Sequence, residues 1–136
     1  MRVAATDVAM YLDSSAFVKL VVSEPHSAAL RAYLRRQDPR RVSSALLRTE
    51  AVRAVRALGP AALAQTRRAL RAIDLIAVGD SVLDVAGSLD PGVLRTLDAI
   101  HLATAMALGD DLDAIVTYDG RMVASARLLG LPLASP

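Results

Sequence analysis

Apolar and polar positions along the chain alternate between two kinds of segment. Ala9–Leu12 is a short apolar run that reads as a strand buried on both faces. From about Ser14 to Val22 the apolar positions Ala16, Phe17, Leu20 and Val21 share one helical face. Glu24-Pro25 breaks that helix, and Pro25 suits the first turn of a second one running to Arg36. Its stripe is Ala29, Leu30, Tyr33 and Leu34, with Arg31, Arg35 and Arg36 outward. After the turn at Asp38-Pro39, Arg41–Ser44 reads as a short second strand. Leu47, Ala51, Val55 and Leu58 recur at helical spacing and predict a helix over Ala45–Leu58. Gly59-Pro60 ends that helix and starts Ala61–Ala72. Ile73–Val78 is a third strand, Asp80–Leu89 a helix, and Asp90-Pro91-Gly92 a turn. Leu97–Leu108 is apolar nearly all round apart from Asp98, His101 and Thr104, which predicts a helix buried on most sides. Ala114–Tyr118 is a fourth strand, Arg121–Leu129 a helix ended by Gly130, and Leu131–Ala134 a last short strand.

Strands separated by helices predict an α/β fold with a mostly parallel sheet covered on both faces. The 136 residues suit one domain spanning 1–136, with residues 1–8 carrying no pattern ahead of the first strand. Hydrophobic residues make up 54% but aromatic ones only 3%, so aliphatic side chains must build the core. The chain has no Cys, which excludes disulfides and thiolate metal sites and fits a reducing cytoplasm. Asp7 and Asp13 interrupt any secretory signal core. No uncharged apolar run approaches the ~18 residues of a membrane span. The reading is a soluble cytoplasmic protein.

The net charge of +2 hides an asymmetry: residues 31–71 hold eleven Arg and two acids, whereas residues 72–136 hold three Arg and nine Asp. A basic segment beside an acidic one suits an anionic polymer held by the first and acted on at the second. Solvated helix faces explain the same charges equally well.

Four acids stand out. Asp13 follows the first strand, Glu50 lies early in the third helix, Asp98 opens the most apolar helix, and Asp119 follows the fourth strand. In a parallel sheet Asp13 and Asp119 leave from one edge, where ligands of open α/β sheets bind. The early turns of the other two helices can reach that edge. Carboxylates gathered together repel unless a cation or proton sits among them. Oxygen-only donors favour Mg²⁺ or Mn²⁺. Each acid also has an ordinary use: Asp13 and Asp119 as helix caps, Asp98 as a first-turn acid, Glu50 as an ion-pair partner of Arg53.

Tyr11-Leu12-Asp13-Ser14-Ser15-Ala16, then Ser43-Ser44 leading to Thr49-Glu50, then Leu97-Asp98-Ala99-Ile100-His101-Leu102-Ala103-Thr104-Ala105, then Thr117-Tyr118-Asp119-Gly120-Arg121 resemble, in this order, the successive signatures of PIN-domain ribonucleases. The resemblance is closest to the VapC toxins of type II toxin–antitoxin systems and covers about Met10 to Leu133. It implies a three-layer α/β/α fold with a mostly parallel central sheet of about five strands. By position it implies an acidic metal site of Asp13, Glu50, Asp98 and Asp119, with Ser15 and Thr117 as polar neighbours. It further implies Mg²⁺-dependent RNA cleavage in which Mn²⁺ can substitute, leaving a 3′-hydroxyl and a 5′-phosphate and so inhibiting translation. Transfer or ribosomal RNA is the substrate it suggests, with a homodimer as the assembly and a VapB-type antitoxin as inhibitor. Met1–Val8 stands ahead of the family's usual start, as an extension.

Other polar residues point elsewhere. His101 reads as a packed, hydrogen-bonded structural residue, because no spacing pairs it with His26 as a metal ligand. Asp110, Asp111 and Asp113 lack the Gly and distal Glu of a calcium loop and read as a solvated turn. Few aromatics leave little base stacking, so phosphate contacts and RNA shape must carry binding. A phosphoacceptor domain of the receiver type also gathers acids at strand ends, but needs a late Lys, and the only Lys is Lys19. A PIN-like domain that binds RNA or protein without cleaving is the remaining alternative; it predicts a broken acid set.

Overall fold

The computed structural model describes residues 8–92 and 94–136. Apart from Val8, the extension ahead of the first strand lies outside the described residues. In chain order the elements are β1 (Ala9–Leu12), α1 (Ser14–Val21), α2 (Ser27–Gln37), β2 (Arg40–Ser44), α3 (Leu47–Val55), α4 (Pro60–Leu70), β3 (Asp74–Ile76), α5 (Asp80–Ser88), α6 (Thr96–Met106), β4 (Leu112–Val116), α7 (Gly120–Leu128) and β5 (Leu133–Ala134).

The five strands form one parallel sheet in the order β3-β2-β1-β4-β5. From β1 the chain builds outward to β2 and β3, then returns to place β4 and β5 on the other side. Strand order therefore reverses between β1 and β4, the point at which open α/β sheets leave a crevice.

Alternation along β1 divides the core in two. Met10 and Leu12 face one side with Val116, against Phe17 of α1, Leu30 and Leu34 of α2, and Leu47, Ala51 and Val55 of α3. Ala9 and Tyr11 face the other with Val42 and Ile115, against Leu102 and Ala105 of α6 and Met122 and Ala126 of α7. The register agrees, pairing Tyr11 with Val42 and Ile115, and Leu12 with Val116. Helices on both faces give the three-layer α/β/α arrangement. α6 is enclosed as its pattern predicts: every residue from Ala99 to Ala105 is buried.

Several boundaries move for identifiable reasons. α2 starts at Ser27 rather than Pro25. The Ser27 hydroxyl donates to the Val22 carbonyl and accepts from the Glu24 N–H, tying Glu24–His26 into a turn. His26 takes a left-handed backbone at φ 73° and stacks on Tyr118. α3 starts at Leu47 rather than Ala45, because the Ala45 N–H donates to the Ile76 carbonyl and stays with the sheet. β3 is shorter than Ile73–Val78, since the Ile73 N–H donates back to Leu70 at the end of α4. β4 runs Leu112–Val116 rather than Ala114–Tyr118, with Thr117 and Tyr118 turned towards α1. Gly59 (φ 100°) and Pro60 divide α3 from α4 as the sequence predicts, after a 3-10 turn at Arg56–Leu58.

Candidate functional site

The crevice is closed at its base by hydrogen bonds between the end of β1 and the end of β4. Asp13 caps α1, its Oδ1 accepting from the Ala16 N–H at 3.0 Å and from the Ser15 hydroxyl at 2.7 Å. Its Oδ2 accepts from the Thr117 hydroxyl at 2.5 Å. Ser15 Oγ in turn accepts from the Tyr118 N–H, and Thr117 Oγ1 from the Asp119 N–H. Ser15 and Thr117 thus clamp β4 to α1 around Asp13. A carboxylate offers about four lone-pair sites. Three are engaged here, and one on Oδ2 is left.

Asp119 caps α7, accepting from the N–H groups of Arg121 and Met122 at 2.8 and 3.4 Å. Both caps foreseen in the sequence therefore exist, and neither uses up its carboxylate. Glu50 does not pair with Arg53. Its Oε1 meets His101 Nε2 at 2.6 Å, and His101 Nδ1 meets the Tyr11 hydroxyl at 2.6 Å. A carboxylate only accepts, so Nε2 carries the proton and Nδ1 accepts from Tyr11. Burial pushes the Tyr11 hydroxyl well above its ordinary pKa, which keeps it a donor. His101 is packed and hydrogen-bonded as expected, but its partner is one of the four acids. Sequence reading missed that Tyr11–His101–Glu50 relay. The one signal for it was a lone imidazole inside an otherwise apolar helix.

Electrostatics link the four acids. Burial raises the Asp98 carboxyl first, followed by the charge of Asp119, and the charges of Asp13 and Glu50 raise it further. Asp98 lies one turn before His101 on α6, and His101 holds Glu50. Asp13 is raised by burial, against the hydrogen bonds from Ser15, Thr117 and Ala16. Glu50, Asp98 and Asp119 are half-buried, whereas Asp13 is 3% exposed. Glu50 and Ser15 share a hollow of about 390 Å³ between α1 and α3, with Lys19 and Tyr118 on its wall. Lys19 is held there by Glu24 at 3.5 Å and lies 5.0 Å from the Tyr118 ring centre.

Among the described residues no three Asp, Glu or His side chains converge tightly enough to enclose a metal ion. The donors are all oxygen, and Asp98 carries the repulsion of three carboxylates. That combination fits Mg²⁺, which commonly takes one or two carboxylates and keeps several waters. Asp110 and Asp111 lie in an exposed 3-10 turn as predicted, whereas Asp113 is not in the turn but in β4, its side chain exposed.

The chain is 56% identical over 128 residues to Ribonuclease VapC46 of Mycobacterium tuberculosis, covering 94% of this chain and 98% of that one. It is 37% identical over 131 residues to Ribonuclease VapC47 of the same organism, covering 93% and 96%. Among solved structures, the Sarcin-Ricin loop cleaving toxin VapC20 of Mycobacterium tuberculosis superposes with a TM-score of 0.73 at 18% identity, covering 93% of this chain and 99% of that one. A toxin-antitoxin complex from Klebsiella pneumoniae gives a TM-score of 0.71 at 20% identity, covering 93% and 97%. At those identities the likeness is one of fold. The PIN domain family model matches residues 10–128, the stretch that holds all four acids, and the chain belongs to the PIN domain family.

Proposed function

We propose that this chain is the toxin of a type II toxin–antitoxin system, a metal-dependent endoribonuclease of the VapC kind acting in the cytoplasm as a single domain. The observation that carries this reading is that Asp13 and Asp119 follow the adjacent strands β1 and β4 at the reversal of strand order, with Glu50 tied through His101 to α6, the helix that carries Asp98. The strong identity to VapC ribonucleases over nearly the whole chain supports the same activity. No helix among the described residues is long and apolar enough to cross a membrane.

In this reading Asp13, Glu50, Asp98 and Asp119 form the metal site, with Ser15 and Thr117 in support. A bound Mg²⁺ or Mn²⁺ offsets phosphate charge and makes a water more acidic. Asp13 is fixed by its three hydrogen bonds and presents the remaining Oδ2 lone pair. Asp98 and Asp119 would share the cation's charge. Glu50, oriented by His101, holds the ion or aligns and deprotonates the attacking water. The water oxygen bonds to phosphorus as the bond from phosphorus to the 3′ oxygen breaks. The 3′ oxygen takes a proton and leaves as the hydroxyl, and the 5′ side keeps the phosphate.

The substrate class is structured RNA, transfer or ribosomal; the Sarcin-Ricin loop named for VapC20 is an example of the latter. The partners are a second copy of the chain and a VapB-type antitoxin, which can neutralise the acids by placing an Arg among them. The chain, purified free of any partner, should cleave total RNA with Mg²⁺ or Mn²⁺ and not in EDTA. Binding of RNA without cleavage under any of these conditions would favour the non-cleaving alternative.

A further inference from the structure

Beside the acids lies a cavity that the acid set does not use. It measures about 460 Å³ and is lined by Pro91, Leu94, Arg95, Arg121, Ala124 and Ser125. Arg95 directly precedes α6, three residues before Asp98, and Arg121 follows Asp119 by two in the first turn of α7. Asp98 lies in the first turn of α6 and Asp119 caps α7, so the two Arg and the two acids stand at the same helix starts. Both Arg side chains are exposed, and among the described residues neither has a carboxylate within ion-pair distance.

Two unpaired guanidinium groups facing one cavity repel each other and are relieved by an anion. Guanidinium groups bind phosphate bidentately and also stack on planar bases, which matters in a chain with so few aromatics. Pro91, Leu94 and Ala124 supply the apolar part of the lining. The volume lies within the roughly 300–1,000 Å³ of small-molecule sites. Two guanidinium groups, an apolar lining and acids at the same helix starts together suit one nucleotide of a strand whose next phosphate lies among the acids.

We propose that this cavity holds the RNA nucleotide flanking the scissile phosphate, its own phosphate on Arg95 and Arg121 and its base against Pro91, Leu94 and Ala124. The assignment rests on the endoribonuclease reading above. It also sets the substrate path: RNA enters over the starts of α6 and α7. The larger cavity of about 510 Å³ formed by Arg48, Val52, Arg67, Leu70, Arg71, Ile73 and Leu75 offers the competing path, over α3 and α4.

The test compares R95A/R121A with R67A/R71A. Binding of a fluorescein-labelled single-stranded oligoribonucleotide is measured in EDTA across a salt series, and cleavage kinetics in Mn²⁺. For R95A/R121A, affinity should fall by roughly tenfold or more and the salt slope by about one to two. KM should rise more than kcat falls. The rise in melting temperature on adding Mn²⁺ should match the wild type, showing the acid site intact; R95K/R121K should recover part of the affinity. Unchanged affinity and slope in folded R95A/R121A, or a loss confined to R67A/R71A, would overturn the assignment. If the wild type binds through Arg95 and Arg121 yet never cleaves, the cavity stands and the nuclease reading falls.

Discussion

Asp13 is a helix cap and a candidate metal ligand at once, and the two roles separate by charge. Asn caps a helix about as well as Asp. Asp13→Asn should therefore fold, and its stability without metal should hold or rise, because one repelling carboxylate has gone. Cleavage should fall by more than the roughly 10–100-fold that loss of an outer-shell partner costs. Near-wild-type cleavage by the folded variant would return Asp13 to a purely structural role. His101 makes the opposite case, a residue acting through others. His101→Leu leaves the Glu50 carboxylate and the fully buried Tyr11 hydroxyl without their partner. The expected cost is about 1–3 kcal/mol in urea unfolding. Tyr11→Phe removes one bond at the far end of the relay and should cost roughly 1 kcal/mol.

Among the elements, α6 shows how burial sorts side chains that the sequence pattern leaves alike. Leu97 and Leu102 are both leucines of one apolar helix, but Leu97 is 48% exposed and Leu102 is 1% exposed. Leu102 packs with Tyr11, Ile115 and Met122 against the sheet. Leu102→Ala should destabilise by about 2–5 kcal/mol, whereas Leu97→Ala should stay within about 0.5 kcal/mol. Comparable losses by denaturant unfolding would contradict the placement of α6. The helix was legible in the sequence because a run apolar on every face admits little else. Which of its residues meets the sheet was not, since that depends on its rotation about its own axis. The end of β4 departs from the sequence pattern for a related reason: Thr117 and Tyr118 are good strand residues, but their hydroxyl and N–H bond to Asp13 and Ser15, more than a hundred positions away.

For the whole molecule, gathered carboxylates tie stability to protons and metal. A carboxyl whose folded pKa exceeds its unfolded value stabilises the fold fully below the unfolded value near 3.8, and loses that contribution as pH rises through the folded value. Asp13 and Asp98 are both raised, by burial first. In EDTA the melting temperature should accordingly carry a component that falls as pH climbs from about 4 towards neutrality. Asp98→Asn should show a smaller fall. Millimolar Mn²⁺ should raise the melting temperature at neutral pH by mass action and flatten the dependence. Identical pH profiles for wild type and variant, or no response to Mn²⁺, would mean that the acids do not act as one site.

The sequence by itself determined the layering and the acids. Runs of about four apolar residues between amphipathic helices permit little but a parallel sheet covered on both faces, and the spacing of Asp13 and Asp119 after their strands puts both at one edge. Local periodicity carries that information because it concerns neighbours in the chain. Tertiary structure decided the pairings: that Ser15 and Thr117 clamp Asp13, that Glu50 answers to His101 and Tyr11 rather than Arg53, and that Arg95 and Arg121 share a cavity at the starts of α6 and α7. Those pairings join residues far apart in sequence. They depend on strand order and on the rotation of α6 and α7 against the sheet, which packing fixes only after the whole chain has folded.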